Sequence, residues 1–498
     1  MAKQVFNSTI LIATLLVSIF LNGCNQSSNE FHIKYSNEVS STPLDGRIML
    51  ILSKDTLIDP DIPNPMRPFI TFGMNFKNWK PGEKLILNGE NSESFIANLD
   101  ELDGNYSLRA IVDLDTTSCL YYIDGICYSD KIVFNAVPEE TNIIEVKVGS
   151  VLSGFGFNES ENIKLLKHKS NLLSDFYKTP TYIEAAVILP DSYNNNPDKY
   201  YPTVFVMPGW GSNHVSASND TFQQKKYGMS GFGEEKIYVF LNQDCRYGYH
   251  VFADSDNNGP RGESFITELI PHLEKEYRVI KEANTRFLIG QSSGAWAALW
   301  LQINYPDHFG MAWAGSPDPV DFRDFCGNNL YMKDANIFYD ANGKPKSSFR
   351  SEGNIFTVKD WSDLETVLGE GGQYQSFEAV FGKKDKNGIP QQFFDRKTGK
   401  VHKEIIEHWK KYDLNLIIQN NADKLKPKLN NKINIVVADN DDFYLDGAVK
   451  LIKTTFEKND IKANIKLLTD GGHNTWTDET RTEMHQKMDD IYLKAIKK

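Results

Sequence analysis

Between residues 45 and 155 apolar and polar positions alternate in short runs. The segments at 47–52, 84–87, 106–112, 131–134 and 143–148 carry the period of two that turns one face of a strand toward a core. Pro-Asn-Pro, Pro-Gly-Glu, Asp-Gly-Asn and Asp-Gly punctuate them as turns, and no amphipathic helix intervenes. This pattern predicts an all-β sandwich domain over 45–155. Its aromatic residues read as core, and nothing catalytic stands out among them.

From about residue 160 the rhythm changes. Continuous apolar, β-branched runs occur at 182–189, 203–207, 236–241, 287–289 and 433–437, with helical patterns at 263–277, 293–304 and 445–458. Alternating strands and helices predict an α/β domain over 160–498, with a mostly parallel sheet covered on both faces. Residues 316–430 interrupt the alternation, with helical pieces at 361–368 and 402–412. A structureless loop of that length is uncommon, so this insertion is expected to be a folded cap over the active site.

The first 24 residues change the picture of where the chain resides. Lys3 precedes an apolar run at 10–21, long enough for a signal peptide and too short for a membrane span. The run ends in Leu21-Asn-Gly-Cys24, which resembles a bacterial lipobox, so Cys24 is the expected lipidation site. Residues 25–44 then read as a tether. The chain is expected in the bacterial cell envelope, attached by lipid alone. Its net charge of −12 argues against a nucleic-acid partner. Four more cysteines remain, and an exported chain allows pairing of Cys119 with Cys127 and of Cys245 with Cys326.

The chemistry centres on Gly290-Gln-Ser292-Ser-Gly294, set between an apolar strand and a helical segment. G-x-S-x-G in that context is a nucleophile elbow, in which the serine Oγ stands exposed on a sharp turn. A serine needs a base and a group that orients it. His473, on a Gly-Gly turn after the run at 465–469, is the expected base. The acid is expected in Ala438-Asp439-Asn-Asp441-Asp442, where alternation leaves Asp439 and Asp441 on the same side. Asp442 suits a helix cap. Two N–H donors for an oxyanion are expected from Ser293 and from the loop Pro208-Gly-Trp210-Gly211, with Trp210 first and Gly211 as the alternative. Asp254-Ser-Asp256-Asn-Asn258-Gly259 matches half of a calcium loop, but Phe265 stands where a glutamate is required. No metal or cofactor is expected.

These segments resemble the esterase family related to esterase D, feruloyl esterases, siderophore esterases and mycolyltransferases, over about residues 165–495. The resemblance carries Tyr201-Pro-Thr-Val-Phe-Val-Met-Pro-Gly-Trp-Gly, the elbow, Ala438–Leu445 and Gly472-His473. It implies an α/β-hydrolase fold and places the acid at Asp441. Pro208 stands where the family usually has histidine, and Ala438 where it has glycine. A surface-anchored serine esterase with a Ser292, His473 and Asp441 triad is the expected function. Analogy points to acylated carbohydrates as substrate. A siderophore esterase, an acyltransferase of the same fold, and an inactive glycan-binding lipoprotein are the alternatives. Substrate choice is assigned to the cap, through Asp321, Arg323, Gln373 and Glu378.

Overall fold

The computed structural model describes residues 29–496, apart from 65, 116, 139, 220 and 351–355. The signal segment and Cys24 lie outside the described residues. No described helix is long and apolar enough to cross a membrane.

The front region is all-β and its strands alternate as expected. Nine strands join into one mixed, mainly antiparallel sheet. Its order runs Leu85–Leu87, Asn29–Tyr35, Asn142–Val151, Cys127–Ser129, Gly104–Asp113, Leu44–Ser53, Ile70–Trp79, Glu93–Phe95, with Ile132–Ala136 also on Gly104–Asp113. The expected pair of sheets is thus one hydrogen-bonded sheet, bridged by the ten-residue strand Gly104–Asp113, which pairs with two short strands along one edge. It curls so that Phe31 meets Phe134 edge to face at 5.7 Å, although their strands are not neighbours. The tether expected over 25–44 is also corrected. Asn29–Tyr35 is an inner strand, parallel to Asn142–Val151, and buries Phe31, Ile33 and Tyr35 almost completely. Its polar residues alternate with those three, and seven residues of alternation among polar neighbours were too short to stand out.

Eight strands form the second sheet. Their order is Ile163–Ser170, Thr181–Ile188, Ile237–Leu241, Thr203–Met207, Arg286–Gln291, Met311–Gly315, Ile433–Ala438, Asn464–Leu468. Thr181–Ile188 is antiparallel to both its neighbours, and the five pairings beyond it are parallel. Alternation explains why central strands are apolar throughout. Val204 and Val206 enter the core beneath the C-terminal helix Asp478–Ile496, whereas Phe205 and Met207 enter the opposite core with helix Ser293–Asn304. That helix is buried from Ser293 to Ile303, as an element apolar all round must be.

The insertion after Met311–Gly315 is folded, with helices Val358–Leu368, Gln373–Phe381, Lys403–Trp409, Leu414–Asn420 and Ala422–Leu429. An aromatic cluster that includes Phe322, Phe325, Phe381 and Trp409 holds it together. The front sheet grips it. Arg47 reaches the C-terminus of Val358–Leu368 and donates to the Val367 and Thr366 carbonyls at 2.8 and 3.2 Å, while Tyr121 donates to Leu368 O at 3.0 Å. These carbonyls have no partner within the helix, and a cation there also meets the negative end of its dipole. Asn75 and Glu93 complete the shell around the guanidinium at 2.8 and 2.5 Å.

All four described cysteines are free. Cys127 belongs to the front core and Cys119 to the hydrolase core, and the first expected pair is absent. Cys245 is buried against Gly248 O, whereas Cys326 lines the cavity at Ser292, so the second expected pair is absent too.

Arg47→Met should therefore strand several buried acceptors and cost about 2–4 kcal/mol of stability. Urea unfolding of the two proteins measures this, and equal midpoints would show that the clamp does not hold the cap.

Candidate active site

Strand Arg286–Gln291 ends at Ser292, which takes φ 57° and ψ −124°, and helix Ser293–Asn304 begins at the next residue. A positive φ at a non-glycine residue costs about 1–3 kcal/mol unless its surroundings impose it. Here Ser292 N–H donates to Gly315 O at 2.9 Å, and Asp318 N–H donates to Ser292 O at 3.2 Å. The flanking glycines are steric requirements. A Cβ on Gly290 would lie 2.2 Å from Gly294 O, and one on Gly294 would lie 2.0 Å from Met207 O. Strand, turn and helix are thus pressed together with no room for another atom.

The loop at 208–212, expected to serve an oxyanion, is drawn against the same turn. A Cβ on Gly209 would meet Gln291 O at 3.3 Å, and Gln243 donates to Pro208 O at 2.5 Å. Tyr249 donates to Ser212 O, and Tyr122 of the front sheet donates to Gly211 O. Among the described residues, the N–H groups of Trp210 and Ser293 have no acceptor.

After strand Asn464–Leu468, Gly471 and Gly472 take φ 140° and 54° and turn the chain back. His473 Nδ1 then lies 3.0 Å from Asp441 Oδ2, and Phe443 packs edge-on against the imidazole at 4.8 Å. Gln291 donates to His473 O at 2.6 Å, tying the histidine loop to the elbow. Burial pushes the Asp441 carboxyl up, but its hydrogen bond to His473, the imidazole charge and the Phe443 N–H outweigh that, and its pKa is lowered. Asp439 is exposed and does not line the cavity. Asp442 accepts from His473 N–H at 2.9 Å, so it fixes the histidine loop rather than capping a helix.

Ser292 and His473 line one cavity of about 260 Å³ with Gly209, Trp210, Asp318 and Gln373. Trp361, Tyr374, Phe377 and Phe443 give it an apolar wall. The Ser292 hydroxyl donates to Asp318 Oδ1 at 3.2 Å rather than to His473. Asp318 also accepts from Ser293 Oγ at 2.6 Å and from Gln373 at 3.4 Å, and burial pushes its carboxyl up to about 6.

The cap residues divide. Gln373 reaches the cavity, but Asp321, Arg323 and Glu378 do not. Asp321 is buried in a pair with Arg323 at 2.5 Å and accepts from Asn415 at 2.5 Å. Glu378 is buried against Arg396 at 2.7 Å and the Phe393 N–H at 2.9 Å. All three build the cap, because a carboxylate inside this aromatic cluster must be paired to remain there. Cys326 lies on a loop expected to reach this face and lines the cavity, whereas Asp318 is a site residue that the sequence analysis missed. Asp318 did carry a signal: it stands between two prolines at the carboxyl end of the strand beside the nucleophile's. Asp254 accepts from the N–H groups of Gly262 and Glu263 and from Tyr305, which accounts for its carboxylate.

The sequence matches the profile of the "Putative esterase" family over residues 178–487. The chain belongs to this family. A curated relative, Esterase Rv1288 of Mycobacterium tuberculosis, is 28% identical over 142 residues, which is 28% of this chain. The match spans only 30% of that relative's length. Among solved structures, a ferulic acid esterase aligns at 17% identity and a TM-score of 0.39, covering 67% of this chain and 98% of that one. An S-formylglutathione hydrolase from Agrobacterium tumefaciens aligns at 14% identity and 0.39, covering 68% and 96%.

The buried Asp318 yields a signed pH dependence. Its folded pKa of about 6 lies above the ordinary 3.8, so ionisation is easier in the unfolded chain. Stability is therefore lost as pH rises from about 4 to 6, by up to about 3 kcal/mol, and the loss levels off above that window. Asp318→Asn cannot ionise, so its unfolding midpoint should gain on the parent across this interval. Parallel curves from pH 4 to 8 would refute a raised carboxyl.

Proposed function

We propose that this protein is a serine carboxylic-ester hydrolase in which Ser292 attacks, His473 moves the proton and Asp441 orients the imidazole. The observation that carries the reading is the 3.0 Å contact between His473 and a fully buried Asp441, in the same cavity as a serine held on a positive-φ turn. An acid bonded to Nδ1 leaves Nε2 to accept the nucleophile's proton. In this reading the Ser292 hydroxyl leaves Asp318 for His473 as substrate enters. Trp210 and Ser293 N–H groups receive the negative charge that forms on the carbonyl oxygen. His473 then protonates the departing alcohol, and water activated by the same imidazole releases the acyl group.

At about 260 Å³ the cavity falls below the ~300–1,000 Å³ common for whole drug-sized ligands. It suits the acyl part of an ester, with the alcohol part lying outside. Acylated carbohydrate is the substrate class we favour, and the apolar run at 10–21 followed by Cys24 supports our reading of an enzyme held at the cell envelope by a lipid on that cysteine.

Ser292→Ala and His473→Ala should each lower turnover on a p-nitrophenyl ester by roughly 10⁴–10⁶, and Asp441→Asn by less. Asp439→Asn should match the parent. An active Ser292→Ala protein would end the proposal, and a crippled Asp439→Asn beside a normal Asp441→Asn would reassign the acid.

Cys24→Ala should move the protein from the membrane to the soluble fraction of cells, because acyl chains supply the attachment. Equal retention of parent and variant in membrane pellets would exclude lipidation at this residue.

A further inference from the structure

A second cavity, about 670 Å³ in volume, lies beside the oxyanion loop and shares no lining residue with the Ser292 cavity. Three parts of the chain build it: Ser118 and Ile123 from the front region, Tyr182 and Asn242 from the hydrolase domain, and Lys384 from the cap. The oxyanion loop continues into its wall, through Asn213 and His214.

The wall has a consistent chemistry. Asn213, Asn242, Asn257 and Asn258 line it, and each amide carries a donor and an acceptor side by side. Tyr177, Tyr182 and Tyr247 add aromatic surface with polar tips, and Tyr177 and Tyr182 are 37% and 41% exposed. The formal charges are already engaged. Glu184 pairs with Lys167 at 2.7 Å and Arg246 with Glu370 at 2.6 Å. Arg261 donates to Asn258 O at 3.0 Å and to Tyr177 Oη at 3.2 Å, Asp244 accepts from Cys119 N–H at 2.9 Å, and Lys384 lies over the Phe176 ring. Burial holds His214 and His250 below their ordinary pKa, so both imidazoles are neutral.

Three buried polar atoms in this wall have no partner among the described residues: Asn257 Oδ1, Asn258 Nδ2 and His214 Nδ1. These atoms are closed to solvent, so the surface the wall offers a ligand is that of the half-buried Asn213, Asn242 and Tyr247 and the exposed faces of Tyr177 and Tyr182. The Asn257 amide is fixed by bonds from its Nδ2 to Ala379 O and Gly382 O at 3.0 and 2.9 Å, which hold its oxygen in place. An anionic ligand would need an unengaged cation cluster, and a metal ion would need grouped carboxylates. Paired amides and tyrosine faces instead match vicinal hydroxyls and the apolar faces of sugar rings.

We propose that this cleft is a second binding site, for a neutral saccharide chain. The site is distinct from the catalytic cavity and rests on the chemistry of its own wall. Its position beside the oxyanion loop lets a glycan lie in the cleft while an acyl group borne by a neighbouring sugar reaches Ser292. In this way the proposal adds a glycan subsite to the esterase reading.

The test is isothermal titration calorimetry on the full chain carrying Ser292→Ala, in a detergent without a sugar headgroup. The probes are xylohexaose, arabinohexaose, cellohexaose and mannohexaose, with inorganic phosphate as the charged control. At least one hexasaccharide should bind, and Tyr182→Ala and Tyr247→Ala should each weaken it by roughly tenfold or more at an unchanged unfolding midpoint. No binding by any of the four would overturn the proposal. So would binding that survives both variants, a loss seen only where the midpoint falls, or phosphate binding more tightly than every hexasaccharide. Binding is read without turnover, so failure of the esterase reading would show in the p-nitrophenyl assay and leave this result to stand alone.

Discussion

The closeness of helix Ser293–Asn304 to strand Thr203–Met207 is the constraint from which the site follows. At Gly294 the helix backbone approaches the Met207 carbonyl so nearly that a single methyl group has no place. Such an approach forces the chain leaving strand Arg286–Gln291 into a turn too sharp for ordinary dihedrals, and Ser292 absorbs the strain. It also brings the loop after Met207 beside Ser292, where a Cβ on Gly209 would lie 3.5 Å from the Ser292 Cβ. The strained serine and its electrostatic surroundings are one geometric consequence, and removing a glycine would disturb both together.

Around this centre the molecule spends its buried charges on holding loops. Asp442 fixes the histidine loop through a backbone N–H, and Arg350 from the cap reaches Asp446 and the Asp441 carbonyl. Arg47 ties the front sheet to the helix that carries Trp361, and Tyr122 ties it to the oxyanion loop. The front region therefore braces the helix and the loop that line the site, while none of its own residues lines the cavity. Its removal would leave helix Val358–Leu368 with open carbonyls and the oxyanion loop without one of its two tyrosine props.

Much of this was legible in the chain because it rests on local rules. The elbow announces itself through glycines at fixed spacing, and the parallel sheet through apolar runs whose alternate residues enter two different cores. The acid was narrowed only to Asp439 or Asp441 by alternation, because the turn between them is set by Asp441 N–H bonding to Ala438 O and Asp439 N–H to Leu468 O rather than by sequence period. Asp321, Arg323 and Glu378 were misread for a related reason. Charged residues in an insertion near a site look functional, yet here two of them pair with each other and the third with Arg396 inside an aromatic core. No local pattern distinguishes a charge that faces substrate from one that faces its own counter-ion. Strand Asn29–Tyr35 escaped notice because its partner, Asn142–Val151, lies more than a hundred residues away.

That strand also sets a mechanical limit on the whole molecule. Residue 29 is already locked into the front sheet, so an anchor at Cys24 would leave four residues between lipid and folded protein. Four residues at full extension span roughly 14 Å. If Cys24 carries the lipid that we propose, a leash that short would hold the front sheet against the bilayer headgroups and limit its tumbling, so the openings of both cavities would sweep only a narrow zone above the membrane.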